Sequence, residues 1–323
     1  MILKFARTIT LNWANSEDII ANCGTIAALL EVSGYPKPGN VHRTANFGET
    51  RYEHFLVSGA ILSPILRDIA YRGNCTQQNQ LDLSDLNLGA SILQSVKTTL
   101  NWQKGGNTNL GIILLFIPLA CAAGTLITHS SPSIAILRSK IGLIIKNSVS
   151  EDTINLFEAI QLANPGGLGQ VEKFDVTTTS TESLIKENIN LYDIFELSAD
   201  RDNIAREWIT EFQITIEVGY PYFKKTFLET QDINLAIVHT YLKILGDYPD
   251  TLICRKYGTP FAECISNEAK DILEQGGLLS KDTKTKLWNF DQRLRIKDKI
   301  NPGTSADLTA ASIMVALLEG MRF

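Results

Sequence analysis

The chain is poor in the residues that build metal centres. Its 323 residues contain 5 cysteines and 4 histidines. Cys23, Cys75, Cys121, Cys254 and Cys264 form no CxxC pair, and Cys and His never cluster at zinc-ligand spacing. That excludes a structural zinc site of the usual kind and suggests a reduced, cytoplasmic protein. Met1-Ile2-Leu3-Lys4-Phe5 is too short an apolar run for a secretory leader. An excess of positive charge is also missing. The net charge of −5 speaks against general nucleic-acid binding, while leaving room for a local cationic pocket. Strand-like alternation is scarce, with Phe212 to Val218 the best example, and that stretch fits a helix equally well. No segment is of low complexity.

From Gly105 to Leu137 there is no Asp, Glu, Lys or Arg, and Leu110 to Thr128 is strongly apolar. Length alone would allow a membrane span. Gly111, Pro118 and Gly124 interrupt the run, polar residues crowd both ends, and no second span exists. A helix buried at the centre of a large core is the better reading.

Elsewhere the periodicity is helical. Asn15 or Ser16 caps a helix that ends at Gly34. A second runs from about Thr50 to Ala70 with a kink at Pro64, and a third from Leu86 to Trp102. Helices follow Pro132 and the caps Ser148 and Ser150, the latter stopping at Asn164-Pro165-Gly166-Gly167-Leu168-Gly169. Further helical patterns cover Glu182 to Leu197, Asn203 to Ile216, Asp232 to Leu245, Phe261 to Glu274 and Asp282 to Leu294. The last helix follows Asn301-Pro302-Gly303. Thr177 to Thr181 is the best internal boundary but does not divide independent domains. The expectation is an all-α protein forming one large multi-helix domain over residues 1–323.

Tyr35-Pro36-Lys37-Pro38-Gly39-Asn40-Val41-His42-Arg43 is a stiff, cationic turn between helical segments. Two prolines fix φ on either side of Lys37, and Gly39 admits a φ that other residues resist. Gly106, Asn107 and Thr108 open the long apolar helix, where free backbone N–H groups and the positive dipole end suit a phosphate. An ordinary N-cap would account for the same residues. Ser305 and Asp307 open the last helix. Asp307 either favours the dipole or holds Mg²⁺ beside phosphate oxygens. Glu31 and Glu217 sit at helix ends that a carboxylate does not favour. Asp250 precedes Arg255 and Lys256. Together these form an inventory for a triphosphate with Mg²⁺.

Five blocks occur in an order that resembles the triphosphoribosyl-dephospho-CoA synthase family. They are Pro36 to Val41, Gly106-Asn107-Thr108 with Gly111, Glu217 with Gly219-Tyr220-Pro221, Asp250-Thr251, and Pro302-Gly303 with Ser305 to Leu308. The resemblance implies an all-α transferase. Such an enzyme moves the triphosphoribosyl group of ATP onto a ribose hydroxyl of 3′-dephospho-CoA and releases adenine. It further implies that Lys37, Pro38, Gly39, Asn40, His42, Arg43, Gly106, Asn107, Thr108 and Ser305 bind nucleotide. Glu217, Asp250 and Glu31 become the candidate catalytic carboxylates, and Asp307 and Asp250 the candidate Mg²⁺ ligands. The chain departs from the best-known members, which carry Asp where His42 stands and NTHKG where this chain has Asn107-Thr108-Asn109-Leu110-Gly111. It resembles a divergent, archaeal-type branch.

The expectation is therefore a cytoplasmic, Mg²⁺-dependent transferase acting on ATP and a small-molecule acceptor such as dephospho-CoA. It needs neither nucleic acid nor membrane and is compatible with a homo-oligomer. The rival readings are a same-fold enzyme moving another phosphoribosyl or nucleotide-derived group, and a nucleotide-binding module without turnover.

Overall fold

The computed structural model describes residues 12–166, 173–176 and 178–323. The residues of the apolar run Met1 to Phe5, part of the breaker after Asn164, and Thr177 of the expected boundary lie outside them. In chain order the helices are α1 (Glu17–Ser33), α2 (Tyr52–Ile61), α3 (Ser63–Gln77), α4 (Leu88–Trp102), α5 (Leu110–Gly124), α6 (Ile134–Lys146), α7 (Ser150–Ala163) and α8 (Thr181–Lys186). They continue as α9 (Leu191–Glu196), α10 (Asn203–Ile209), α11 (Tyr220–Thr230), α12 (Ile233–Asp247), α13 (Thr251–Tyr257), α14 (Thr259–Glu274), α15 (Lys281–Gln292) and α16 (Gly303–Leu318). Two π-helical turns, Ile214–Gly219 and Arg293–Asp298, join α10 to α11 and extend α15. The described residues contain no strand beyond the isolated bridges His42–Ala45 and Phe47–Thr50, so the fold is all-α.

Helix α5 is apolar on every side and buries every residue except Gly111. At 15 residues it is about 22 Å long, short of the roughly 30 Å of a bilayer core. No helix of the described residues is long and apolar enough to cross a membrane. Helices α1, α3, α4, α6 and α16 surround α5. The crossing with α3 needs two glycines. A Cβ on Gly73 would lie 2.1 Å from the Cys121 carbonyl oxygen, and one on Gly124 would lie 2.0 Å from that of Ala70. Any side chain there would push the helices apart.

A second apolar cluster is built by α12, α13, α14 and α15, including Tyr241, Leu242, Ile253, Ile265, Leu287 and Phe290. The start of α16 belongs to both regions: Ala306 packs with the second cluster and Leu308 with the first. The Lys37 turn and the start of α16 meet along this seam.

Four expectations are corrected here. The single kinked helix from Thr50 to Ala70 is two helices, because Pro64 falls in the first turn of α3, where its missing N–H costs nothing. Glu182 to Leu197 is likewise two short helices, each with its own side-chain cap, Ser180 and Asn190. The helix from Asn203 stops at Ile209, and the residues up to Ile216 enter the π turn. Helices α11 and α13 were not anticipated. Tyr220-Pro221 reads as a breaker, yet the proline occupies the first turn of α11. Helix α13, at 7 residues, is too short to show periodicity.

Glu207 on α10 is buried and accepts from the backbone N–H groups of Ile214 (2.7 Å) and Thr215 (2.9 Å), which pins the first π turn. Burial raises its pKa from 4.5 to about 7, against the hydrogen bonds from Thr215 and Ile214. A carboxyl with a raised folded pKa contributes its full stability below the unfolded value and loses it as pH rises through the folded one. We expect stability to fall between pH 4.5 and about 7 by up to about 3 kcal/mol through this group. Chemical denaturation across that range should show a flatter profile in Glu207→Gln.

Candidate active site

The turn after α1 folds as its prolines and glycine require. Gly39 adopts φ +74°, and a Cβ there would lie 2.4 Å from the Ile300 carbonyl oxygen. The direction of Lys37 is the surprise. Its side chain is fully buried and points inward, with Nζ bonded to Glu31 Oε1 and to Asn40 Oδ1 (2.8 Å) and 6.0 Å from the centre of the Tyr241 ring. Burial lowers the Lys37 pKa and raises that of Glu31, and the attraction within the pair opposes both shifts. In this structure the Lys37 ammonium is held by Glu31 and Asn40. Glu31 lies in the last turn of α1, so its side chain reaches beneath the turn that follows.

The rest of the turn is held from behind by the last third of the chain. Pro38 uses its carbonyl to accept from the Tyr241 hydroxyl (2.8 Å). The Asn234 carboxamide brackets Tyr35, accepting from its N–H (2.9 Å) and donating to its carbonyl (2.8 Å). Gly39 N–H donates to Asp291 Oδ1 (2.9 Å), and Asn40 Nδ2 donates to Asn301 Oδ1 (2.8 Å). His42 is buried, with Nε2 3.3 Å from Asp291 Oδ2. Burial lowers its pKa against the pull of Asp291. The carboxylate that faces His42 comes from α15. Arg43 is exposed and stacks on the Tyr35 ring at 4.4 Å.

At the start of α5, Gly106 has φ +74° and open space around it. Asn107 lies ahead of the helix with its Oδ1 accepting from Leu110 N–H (3.1 Å), and the Thr108 hydroxyl is bonded to that of Ser58 (2.7 Å). These two side chains are committed to structure. Asn109 is different. It occupies the N-cap, yet among the described residues its buried carboxamide has no hydrogen-bond partner on either atom, and neither does the buried Thr99 hydroxyl. Both border a cavity of about 10 Å³, the size of one water.

Asp307 joins this opening to α16. A Cβ on Gly111 would lie 2.0 Å from Asp307 Oδ2, so the absence of a side chain at 111 is what admits the carboxylate. Asp307 is half-buried and has no hydrogen-bond or ion-pair partner among the described residues. Burial, then the charges of Glu31, Asp250 and Asp202, push its pKa well above the usual carboxylate range, with Lys37 opposing them. It is a carboxylate short of positive charge.

The other candidate acids are placed differently. Asp250 is fully buried and caps α13, its Oδ1 accepting from the N–H groups of Leu252 (3.0 Å) and Ile253 (3.2 Å). Its Oδ2 accepts from the backbone N–H (2.7 Å) and hydroxyl (2.9 Å) of Ser305. These bonds tie the start of α13 to the start of α16. Glu217 does not join the cluster. It is half-exposed on the first π turn and paired with Arg138 (2.5 Å), which lowers its pKa. Among the described residues, no group of three or more His, Cys, Asp or Glu is placed to hold a metal ion.

Sequence reasoning missed Asp291, Arg295, Asn301, Tyr241 and Asn234. For Asp291 a signal existed. It occupies the apolar stripe formed by Leu287 and Phe290 of α15 and Leu294 of the following π turn, at spacing that puts an acid where the core should be.

The fold and the candidate site define an all-α protein in which Asp307, without a partner among the described residues, is set against the opening of a buried helix. Comparison with known proteins gives the class. A model of the CitG family, ATP:dephospho-CoA triphosphoribosyl transferase, matches residues 17–322. A 2-(5''-triphosphoribosyl)-3'-dephosphocoenzyme-A synthase from Klebsiella pneumoniae is 25% identical over 97% of this chain and 94% of its own length. A probable synthase of the same name from Malonomonas rubra is 23% identical over 91% of this chain and 86% of its own. The crystal structure of a candidate triphosphoribosyl-dephospho-CoA synthase from Archaeoglobus fulgidus superposes with a TM-score of 0.61 at 26% identity, covering 83% of this chain and all of that one. The chain belongs to the ATP:dephospho-CoA triphosphoribosyl transferase family and is a transferase.

Proposed function

We propose that this chain transfers the triphosphoribosyl group of ATP to a ribose hydroxyl of 3′-dephospho-CoA, and that Asp307 is the carboxylate at the reacting centre. In that reaction the glycosidic bond from ribose C1 to adenine breaks, adenine leaves with a proton, and C1 bonds to the acceptor oxygen. Family membership supports the reaction. The observation that carries the role of Asp307 is its carboxylate, unpartnered among the described residues and half-buried against Gly111. The start of α5 offers backbone N–H groups and a positive dipole end to the triphosphate, with Gly106 leaving the approach open.

Mg²⁺ fits this donor set. The ion is held by one or two carboxylates and otherwise by phosphate oxygens and water, so a preformed cage of three protein ligands is not required. Asp307 would hold it, and the ion would neutralise charge on the triphosphate. Lys37 keeps Glu31 paired beneath the turn, and Asp250 with Ser305 fixes the first turn of α16, so that Asp307 is presented at one place. The five cysteines are all unpaired, in keeping with a cytoplasmic setting.

Adenine released from ATP, followed by chromatography with and without dephospho-CoA, tests the reading. We expect Mg²⁺-dependent release that requires dephospho-CoA. Release that requires a different acceptor would overturn the acceptor assignment, and nucleotide binding with no release under any condition would overturn turnover itself.

A further inference from the structure

We propose that Asp291 is a positioning residue for the transfer reaction, acting through Arg295 and the Lys37 turn to hold Glu31 and the Asp307 helix in register. The inference rests on the reading that Asp307 marks the reacting centre. Asp291 is fully buried on the apolar stripe of α15, where an apolar side chain would pack at no desolvation cost. Its carboxylate is instead spent on one turn, accepting from Gly39 N–H (2.9 Å) and lying 3.3 Å from His42 Nε2. It also accepts from Arg295 Nη2 (2.7 Å).

Arg295 sits in the second π turn, a local departure from the α-helix of the kind found at functional sites. Its guanidinium spans the back of the Lys37 turn, donating to the carbonyls of Asn40 (2.7 Å) and Asn46 (2.6 Å). Asn40 then distributes the position in two directions. Its Oδ1 accepts from Lys37, which holds Glu31, and its Nδ2 donates to Asn301. Asn301 immediately precedes Pro302, the N-cap of α16, and Asp307 is the fifth residue of that helix, just past its first turn. One buried carboxylate thus sets the turn against both acidic elements. Buried ion pairs are weak evidence for stability, since apolar residues of the same volume often serve as well. The arrangement is better explained by geometry than by stability.

Asp291→Asn keeps the shape and one acceptor but removes the charge that holds Arg295 and His42. We expect kcat for adenine release to fall about a hundredfold, the cost of roughly a 1 Å misplacement, with KM for ATP within about threefold of wild type. Limited acetylation with acetic anhydride, read by peptide mass mapping, should show Lys37 protected in the wild-type chain and several-fold more reactive in the variant, with other lysines unchanged. The labelling does not depend on turnover, so it still decides the positioning if dephospho-CoA proves not to be the acceptor. Unchanged labelling of Lys37, or a kcat within threefold of wild type, overturns the proposal. If Asp291→Asn does not fold, Arg295→Lys serves, because one ammonium cannot reach three acceptors spread along a guanidinium fork. About a tenfold loss of kcat at unchanged KM for ATP supports the proposal, and wild-type kcat overturns it.

Discussion

Asp307→Asn should lower kcat/KM for adenine release by about a thousandfold while leaving the helical circular dichroism and melting temperature nearly unchanged. The expectation follows from what Asp307 lacks. It makes no hydrogen bond or ion pair among the described residues, so the amide loses no structural partner. Burial and three neighbouring carboxylates already disfavour its charge, so removing that charge relieves repulsion in the resting protein. The loss falls on the step in which the carboxylate meets a cation or developing positive charge. Gly111→Ala gives a second route to the same result. In a helix this exchange favours stability by about 1 kcal/mol, but here the new Cβ would meet Asp307 Oδ2 at 2.0 Å and Cγ at 2.4 Å. The carboxylate must move, and we expect about a hundredfold loss of activity. In the double variant the two losses should not add, because both act on the same group. Near-wild-type activity in Asp307→Asn would remove it from the reacting centre.

Much of this fold is legible in the sequence because the physics is local. The uncharged run from Gly105 to Leu137 announces a buried helix, and its Gly-rich opening announces where α5 starts. The Lys37 turn is visible because proline and glycine act on their own backbone. What the sequence does not carry is direction. Nothing near Lys37 shows that its ammonium turns toward Glu31, because the groups that anchor the turn lie some two hundred residues or more further along, at Asn234, Tyr241, Asp291 and Asn301. Asp250 and Ser305 match the expected blocks, yet they answer to each other across the α13–α16 junction. Glu217 matches as well, and the π turn that carries it leaves it half-exposed beside Arg138. Motif order marks the candidate segments, whereas the role each side chain is free to take depends on which hydrogen-bonding capacity the fold has already used. By that criterion Asp307 stands apart from the other candidate acids.

Lys37→Met should be among the most destabilising single changes in the protein. The side chains of Lys37 and Glu31 are 0% and 3% exposed, so the variant leaves an uncompensated carboxylate in the interior. Breaking one side of such a pair costs about 3–5 kcal/mol, which for a chain of this size lowers the melting temperature by on the order of 10 °C. The pH dependence fixes the cause. Without Lys37, burial holds the Glu31 pKa above its unfolded value, so the folded variant binds the proton more tightly. Its stability is then greatest below the unfolded carboxyl pKa and declines as pH rises through the folded one. The deficit relative to wild type should shrink toward pH 4 and widen toward pH 8. Glu31→Gln/Lys37→Met removes both charges and should recover part of the stability, since the amide carries no buried charge. Its activity should stay low, because Asn40 loses the ammonium that holds it and the link to Asn301 and α16 slackens. Thermal melts of the three variants across pH measure this directly. A deficit in Lys37→Met that does not vary with pH would show that lost packing, rather than the stranded Glu31 charge, is what destabilises the turn.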